Sequence, residues 1–216
     1  PVVRLNQGGI LVVGDTGTGV GDDGVTTFGR LGNDALMNLN AARFNFVGQN
    51  GAATAETMGV LSLDNGRSLI AVTSGSGGTA TLTVATLFRN PETRALGIVT
   101  SDNYSLGSSS FLKLADGGAT LTHLGGTDSR GTDKAIAVGL TSGTTATRSG
   151  NWGNTFVRYD AAAGFVPLDP AADYVNATAM AFPAVNPDGN DNVRLPWTAV
   201  HPTNAASSVT LGATRL

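Results

Sequence analysis

The 216-residue sequence contains no cysteine, which removes disulfides, thiolate zinc clusters and cysteine nucleophiles together. Glutamate is nearly missing as well: only Glu56 and Glu92 stand against 14 aspartates, and lysine occurs only at Lys113 and Lys134. Helices favour Glu and Lys whereas turns favour Asp, so long helices are not expected and charge is expected in turns. Charged residues make up 13% of the chain, the net charge is −3 and the arginines are dispersed. That leaves no basic stripe for nucleic acid. No apolar run approaches the roughly 18 to 20 residues of a membrane-crossing helix. Residues 1–9 lack the charged start and apolar centre of a signal peptide, so the chain is expected to be processed or an excerpt.

Abundant in place of these are Gly (30 residues), Thr, Ser and short aliphatic runs, with 41% hydrophobic residues. A chain of this length buries one core, either as one domain or as one stretch of an elongated array. The runs are Ile10 to Val13, Val25 to Phe28, Ala35 to Leu39, Arg43 to Val47, Val60 to Leu63, Ser68 to Thr73, Thr79 to Phe88, Ala95 to Thr100, Phe111 to Leu114, Ala119 to Leu124 and Ala135 to Leu140. Each is closed by Gly, Asn, Asp or Ser, the pattern of strands and turns. Leu61 and Leu63, Leu82 and Val84, Leu112 and Leu114, and Ile136 and Val138 share parities, which predicts one buried and one wet face.

Two-residue hairpin loops such as Asn65-Gly66 are outnumbered by longer Gly/Ser/Thr connections such as Ser74 to Thr79 and Thr141 to Thr147. Antiparallel hairpins favour the former, whereas a parallel β-helix turns its corners with small residues and stacks aliphatic ladders inside and Thr, Ser and Asn ladders outside. The expected fold is therefore all-β, a parallel β-helix or solenoid, with an antiparallel β-sandwich as the alternative. Coils of roughly 20 to 25 residues would give about six up to Leu140. From Gly150 the chain changes character: Trp152, Phe156, Tyr159, Phe165, Tyr174, Phe182 and Trp197 hold most of the aromatics, and six of the eight prolines lie from Pro167 onward. The expected organisation is solenoid coils over 1–149, a cap, insert or linker over 150–206, and over 207–216 a strand starting or joining a further unit.

Three stretches carry a resemblance. Thr54 to Leu63 with Ser68 to Val72 and Ser74 to Arg89, preceded by Asn33 to Asn40 and Phe44 to Gly48, resembles the autotransporter-associated β-strand repeat of very long bacterial surface proteins. Gly150 to Asp160 with Gly164 to Leu168 is similar to the segment that follows those strands. The likeness runs over roughly residues 25 to 170, and its force lies in the order of the pieces. It implies a passenger-type right-handed β-helix, exported to the cell surface or medium, used as a fibre or adhesin. The family carries no defined catalytic residues to transfer onto this chain.

Gly19, Gly21 and Gly24 fit a G-x-G-x-x-G spacing after a strand, but Asp22 and Asp23 would face a pyrophosphate and Val25 to Phe28 favours strand where a helix is needed. A Gly-rich turn is the better reading. Asp22 and Asp23, and Asp188 and Asp191 among Asn186, Asn190 and Asn192, offer oxygens suited to calcium; without a Glu at the twelfth loop position they read first as solvated turns. His123 and His201 are far apart, and neither a G-x-S-x-G elbow nor an H-E-x-x-H helix occurs. Asp102, Asp116, Asp128 and Asp133 are the carboxylates a polysaccharide-cleaving β-helix would gather on one face. Trp152, Phe156, Tyr159, Phe165 and Trp197 suit a small satellite core better than a ligand platform. Asn103 and Asn176 begin glycosylation sequons that a bacterial protein has little use for.

These readings lead to a non-enzymatic structural or adhesive segment of an extracellular bacterial protein, without catalytic residues or cofactor, calcium being the one candidate ion. Its expected partners are copies of itself or neighbouring repeats, and surface glycans. The alternatives are a carbohydrate-binding or polysaccharide-degrading β-helix of tailspike type and a pilin-like sandwich subunit.

Overall fold

A computed structural model describes residues 1–14, 31–102, 105–124, 134–143, 155–169, 171–176 and 192–194. The chain visits two faces in alternation. β1 (Val2–Leu5) and β2 (Ile10–Gly14) form the first pair of strands, β3 (Leu36–Asn40) and β4 (Arg43–Val47) the second, β5 (Ala53–Asn65) and β6 (Arg67–Thr73) the third, and β7 (Thr79–Arg89) and β8 (Leu96–Thr100) the fourth. β9 (Ser110–Leu114) closes the first face. There follow β10 (His123–Leu124), β11 (Ile136–Ala137), β12 (Leu140–Ser142), β13 (Thr155–Asp160), β14 (Gly164–Pro167), β15 (Val175–Asn176) and β16 (Val193–Arg194).

One sheet has the order β1-β3-β5-β7-β9 and the other β14-β13-β12-β8-β6-β4-β2. From β1 to β9 on one face, and from β2 to β12 on the other, every pairing is parallel. Consecutive strands thus sit in different sheets and pair with the strand one coil away, which defines a β-solenoid and excludes the antiparallel sandwich. No helix occurs among the described residues. The coils are longer and fewer than the estimate of about six. Ala42 and Ser68 of adjacent coils are 26 residues apart, Asn6 and Asn40 are 34, and Gly97 meets its partner in the following coil only at Leu140.

Parallel in-register pairing stacks each residue on its counterpart. Leu11, Phe44, Ile70 and Val99 form one inward column, and Val13, Phe46 and Val72 the next. From the opposite sheet come Val3, Met37, Leu61 and Leu87, and Met58, Val84 and Leu114. Phe44, Phe46, Met37, Met58, Leu61, Ile70 and Val84 are fully buried. Each such side chain is worth about 1.5–3 kcal/mol removed from water, so these columns hold the two sheets together. Outward, Ala55, Thr81 and Phe111 line up, as do Thr57, Thr83 and Lys113. Threonine suits that place because its branched carbon favours the extended chain while its hydroxyl stays solvated.

One corner repeats. Gly8, Ala41, Gly66 and Arg94 all have positive φ, at 77°, 48°, 63° and 53°, where the chain passes from the first sheet to the second. A β-carbon on Gly66 would lie 3.0 Å from that of Ala41, so the corner wants glycine there for both conformation and space. The corners bond from coil to coil: the Ala41 amide donates to the Asn65 carbonyl at 2.9 Å and the Gly8 amide to the Ala41 carbonyl at 3.1 Å.

After β12 the winding changes. β13 pairs antiparallel with β12, and β14 with β13. Tyr159 on β13 and Phe165 on β14 meet edge to face at 5.0 Å and join the main core together with Val157. The Tyr159 hydroxyl accepts a hydrogen bond from the Leu114 amide at 2.8 Å and donates to the Leu114 carbonyl at 3.3 Å, so a side chain supplies the last strand of the first sheet with a partner. Gly164, at φ 72°, packs so closely on the Leu112 carbonyl that a β-carbon would lie 2.1 Å from its oxygen. Two of the aromatics expected in a satellite core therefore belong to the main one, because antiparallel pairing brings β13 and β14 over its end. Trp152 and Trp197 lie outside the described residues.

Replacing Tyr159 by Phe leaves the buried Leu114 amide without its partner and is expected to cost about 1–3 kcal/mol in urea unfolding. Burial, more than any other influence, raises the Tyr159 pKa above the ordinary 10.0. A raised native value means that its stabilisation is complete below pH about 10 and is lost as pH rises through that value. The wild type should therefore lose stability on alkaline titration by a component that Tyr159→Phe lacks. At the corner, Ala41→Gly should be as stable as the parent or more so, whereas Ala41→Val should melt lower by the equivalent of about 1–2 kcal/mol, because a branched side chain resists positive φ.

Candidate functional site

The residues singled out in the sequence do not form one site. Asp22, Asp23, Asp188 and Asp191, the calcium candidates, lie outside the described residues, as do Gly19, Gly21, Gly24, His201, Asp128, Asp133 and Asn103. Among the described residues no three His, Cys, Asp or Glu side chains gather as metal ligands. Asp102 is engaged by Arg43, whose Nη2 lies 3.1 and 3.0 Å from its two oxygens. Asp116 closes a turn: it accepts from the Thr120 hydroxyl at 2.5 Å, the Gly118 amide at 2.9 Å and the Thr120 amide at 3.0 Å. Each carboxylate is thus occupied locally. His123 is half-buried on β10 opposite Ala137, and its Nδ1 is buried without a hydrogen-bond partner among the described residues.

Two polar clusters stand out that were not legible from spacing. Ser74, Ser101, Ser105, Ser109 and Ser110 converge where β6 and β8 end and β7 and β9 begin. Ser105 and Ser110 hydroxyls are 2.6 Å apart, Ser74 and Ser109 2.9 Å, Ser101 and Ser110 3.2 Å, and the Ser74 amide donates to Ser110 Oγ at 2.8 Å. Hydroxyls that both donate and accept satisfy one another in this buried corner, which aliphatic side chains would leave with unpaired backbone groups. Farther along, Lys134 Nζ lies 2.5 Å from Asp173 Oδ1, and the amide side chain of buried Asn192 donates to the Lys134 carbonyl at 2.9 Å. That trio ties together three segments remote in sequence. Both clusters read as stabilising networks, since every group named finds a partner inside the protein.

A concave surface lies at the repeating corner. Outside β2, β4, β6 and β8 runs a groove of about 380 Å³ along the column Ile10, Arg43, Leu69 and Ile98, with Arg67 beside it and Ile98 buried at its inner limit. Its shape comes from small residues, Gly8, Gly9, Ala41 and Ala42, which the tight corner selects. Arg43 is held from behind by Asp102 and by Asn45, whose Oδ1 lies 2.6 Å from its Nε. Across Ala41 a second hollow is lined by Asn6, Gln7, Asn40, Asn65 and Gly66. Asn40 Nδ2 donates to Asn6 Oδ1 at 3.3 Å, and Asn65 Oδ1 accepts from the Gly66 amide at 2.8 Å. Asn6 and Asn40 thus join adjacent coils through their side chains, while Asn65 closes its own turn.

No family model, no curated protein and no solved structure matches the chain. The likeness to the autotransporter-associated strand repeat rests on the quoted residues alone.

The Thr120 hydroxyl, followed by the Gly118 amide, holds the Asp116 carboxyl below its ordinary pKa of 3.8. A depressed native value means that the stabilisation is present above the unfolded carboxylate value of about 3.9 and is lost as pH falls through the lowered one. Thermal melts taken from pH 5 downward should show a smaller acid-induced drop for Asp116→Asn than for the parent.

Proposed function

We propose that the chain is a non-enzymatic structural or adhesive segment of an extracellular bacterial protein, and that it self-associates end to end. The observation that carries this reading is the asymmetry of the stack. Among the described residues β1 and β2 are the outermost strands on one side of their sheets. Val2, Ile10 and Val12 there are 58, 64 and 53% exposed, and the inward Val3, Leu5 and Leu11 are only half-buried. At the other end β13 and β14 run antiparallel, and the Tyr159 hydroxyl occupies the last strand of the first sheet. A row of open amides and carbonyls beside exposed aliphatic side chains is a template for another strand, from a neighbouring repeat of the same chain or from a second copy.

Such a stack works without an active site. Its stiffness comes from coil-to-coil bonding and its length from coil number, while its outer threonine face offers many weak contacts that act through multivalency. The polysaccharide-cleaving reading draws no support from Asp102 and Asp116, each of which is taken up by its own neighbours.

Electron microscopy of the protein purified from its native source should show rods or fibres with a regular axial repeat. Ile10→Lys with Val12→Lys, which places charge on the outermost strand, should shorten them or abolish them. Discrete monomers at all concentrations, or rods unchanged by the paired lysines, would contradict the proposal.

A further inference from the structure

We infer that Asn65-Gly66 is a self-modification site: the Gly66 amide nitrogen attacks the Asn65 side chain, and deamidation converts the asparagine of this corner to aspartate and isoaspartate.

Asparagine followed by glycine is open to this reaction because glycine has no β-carbon to hinder the approach of its nitrogen. The described residues hold two such pairs, Asn50-Gly51 and Asn65-Gly66, and the related Asp116-Gly117. All six residues are exposed, so access to water does not separate them. Hydrogen bonding does. The Gly51 amide donates to the Ser76 carbonyl at 2.9 Å, and the Ser76 amide in turn holds Asn50 Oδ1 at 2.8 Å. The Gly117 amide donates to the Leu114 carbonyl at 3.0 Å, and the Asp116 carboxylate is taken up by Thr120 and Gly118. Of the three glycine amides, only that of Gly66 has no main-chain acceptor among the described residues; it donates to Asn65 Oδ1 at 2.8 Å. The nitrogen thus already rests against the carbonyl it must attack, with Asn65 Cγ one bond beyond that oxygen. Contact of this kind turns a slow encounter into a fast intramolecular step.

Once the Gly66 nitrogen loses its proton to hydroxide, it bonds to Asn65 Cγ; the Cγ–Nδ2 bond breaks, and the side-chain nitrogen takes a proton from water and leaves as ammonia. Water then opens the five-membered succinimide at either carbonyl. Opening at Cγ leaves aspartate. Opening at the main-chain carbonyl leaves isoaspartate, with one more methylene in the chain and the former main-chain carbonyl turned into a free carboxylate.

The place gives the reaction its consequence. The Asn65 carbonyl accepts from the Ala41 amide at 2.9 Å and the Gly66 carbonyl from the Leu96 amide at 2.9 Å, so this corner is bonded to the coil on either side. Gly66 turns there at φ 63°, with Ala41 close against it. A chain longer by one methylene cannot keep both bonds and the same turn, and the new carboxylate enters a hollow otherwise lined by the amides of Asn6, Gln7 and Asn40. The modified form is a loosened corner, and the fraction carrying it grows with the age of the molecule.

Incubation of the folded protein in mildly alkaline buffer, with a parallel sample in urea, followed by peptide mass spectrometry and an isoaspartate assay, tests the inference. In the folded protein Asn65 should exchange its amide NH2 for OH at least about ten times faster than Asn50, because Asn50 must first lose two hydrogen bonds. In urea the two should convert at similar rates, since glycine follows both and the fold no longer distinguishes them. Conversion of Asn65 should slow in mildly acidic buffer, where less of the amide is deprotonated. The isoaspartate form, separated by chromatography, should melt below Asn65→Asp, which adds the charge without lengthening the chain. Conversion of Asn65 no faster than that of Asn50 in the folded state would overturn the assignment of the site; an isoaspartate form that melts with Asn65→Asp would overturn its effect on the corner.

Discussion

Parallel, in-register stacking is the constraint from which the rest of the structure follows. When strand pairs with strand one coil away, each inward side chain meets the one above and the one below it, so neighbours in a column must agree in size and polarity. Leu11, Phe44, Ile70 and Val99 satisfy that rule, as do Val3, Met37, Leu61 and Leu87. The same constraint governs the corner, where a left-handed residue recurs at Gly8, Ala41, Gly66 and Arg94 because each coil must turn at the same place. It governs polar groups too: Ser74 and Ser110 are buried in adjacent coils and satisfy each other instead of water.

Stacking also creates ends and surfaces, where function must lie. Among the described residues the two outermost sides of the stack differ. Near β9 the Tyr159 hydroxyl and the tight Gly164 turn bring the antiparallel β13 and β14 against the core. At β1 and β2 aliphatic side chains remain open to water. Along the side, the small residues that the corner requires leave a groove between two arginines. The open strand edge and the lateral groove are therefore consequences of one winding rule.

Much of this was written in composition and alternation. Scarce Glu and Lys argued against helices, and the parities of Leu61 with Leu63 and Leu82 with Val84 mark residues that are buried. The shortage of two-residue hairpins pointed to parallel winding, because a coil needs corners more than reversals. Coil length was not legible: the connection from Arg89 to Leu96 and the longer passage from Leu114 to Leu140, which includes β10 and β11, differ in length without disturbing the register, so no strict period survives in the sequence. Ala119 to Leu124 was expected as a strand, but Gly117 and Gly118, both at positive φ, turn the chain and leave only His123–Leu124 paired. Ala135 to Leu140 is split by Gly139 for the same reason. The groove was hidden because Ile10, Arg43, Leu69 and Ile98 meet only through a register that spans four coils.

The absence of native cysteine makes that register directly measurable by disulfide trapping. Ala55 and Thr81 are parallel partners on the outer face, as are Thr57 and Thr83. Cysteines placed at 55 and 81, or in a second variant at 57 and 83, should each oxidise to a disulfide in high yield, because adjacent strands bring the α-carbons within the roughly 4.4–6.8 Å that the bond spans. In an antiparallel pairing, moving two residues along one strand moves two back along the other, so both pairs could not cross-link. Trapping of 55 with 81 alongside 57 with 79, and failure of 57 with 83, would contradict the parallel solenoid on which the account rests.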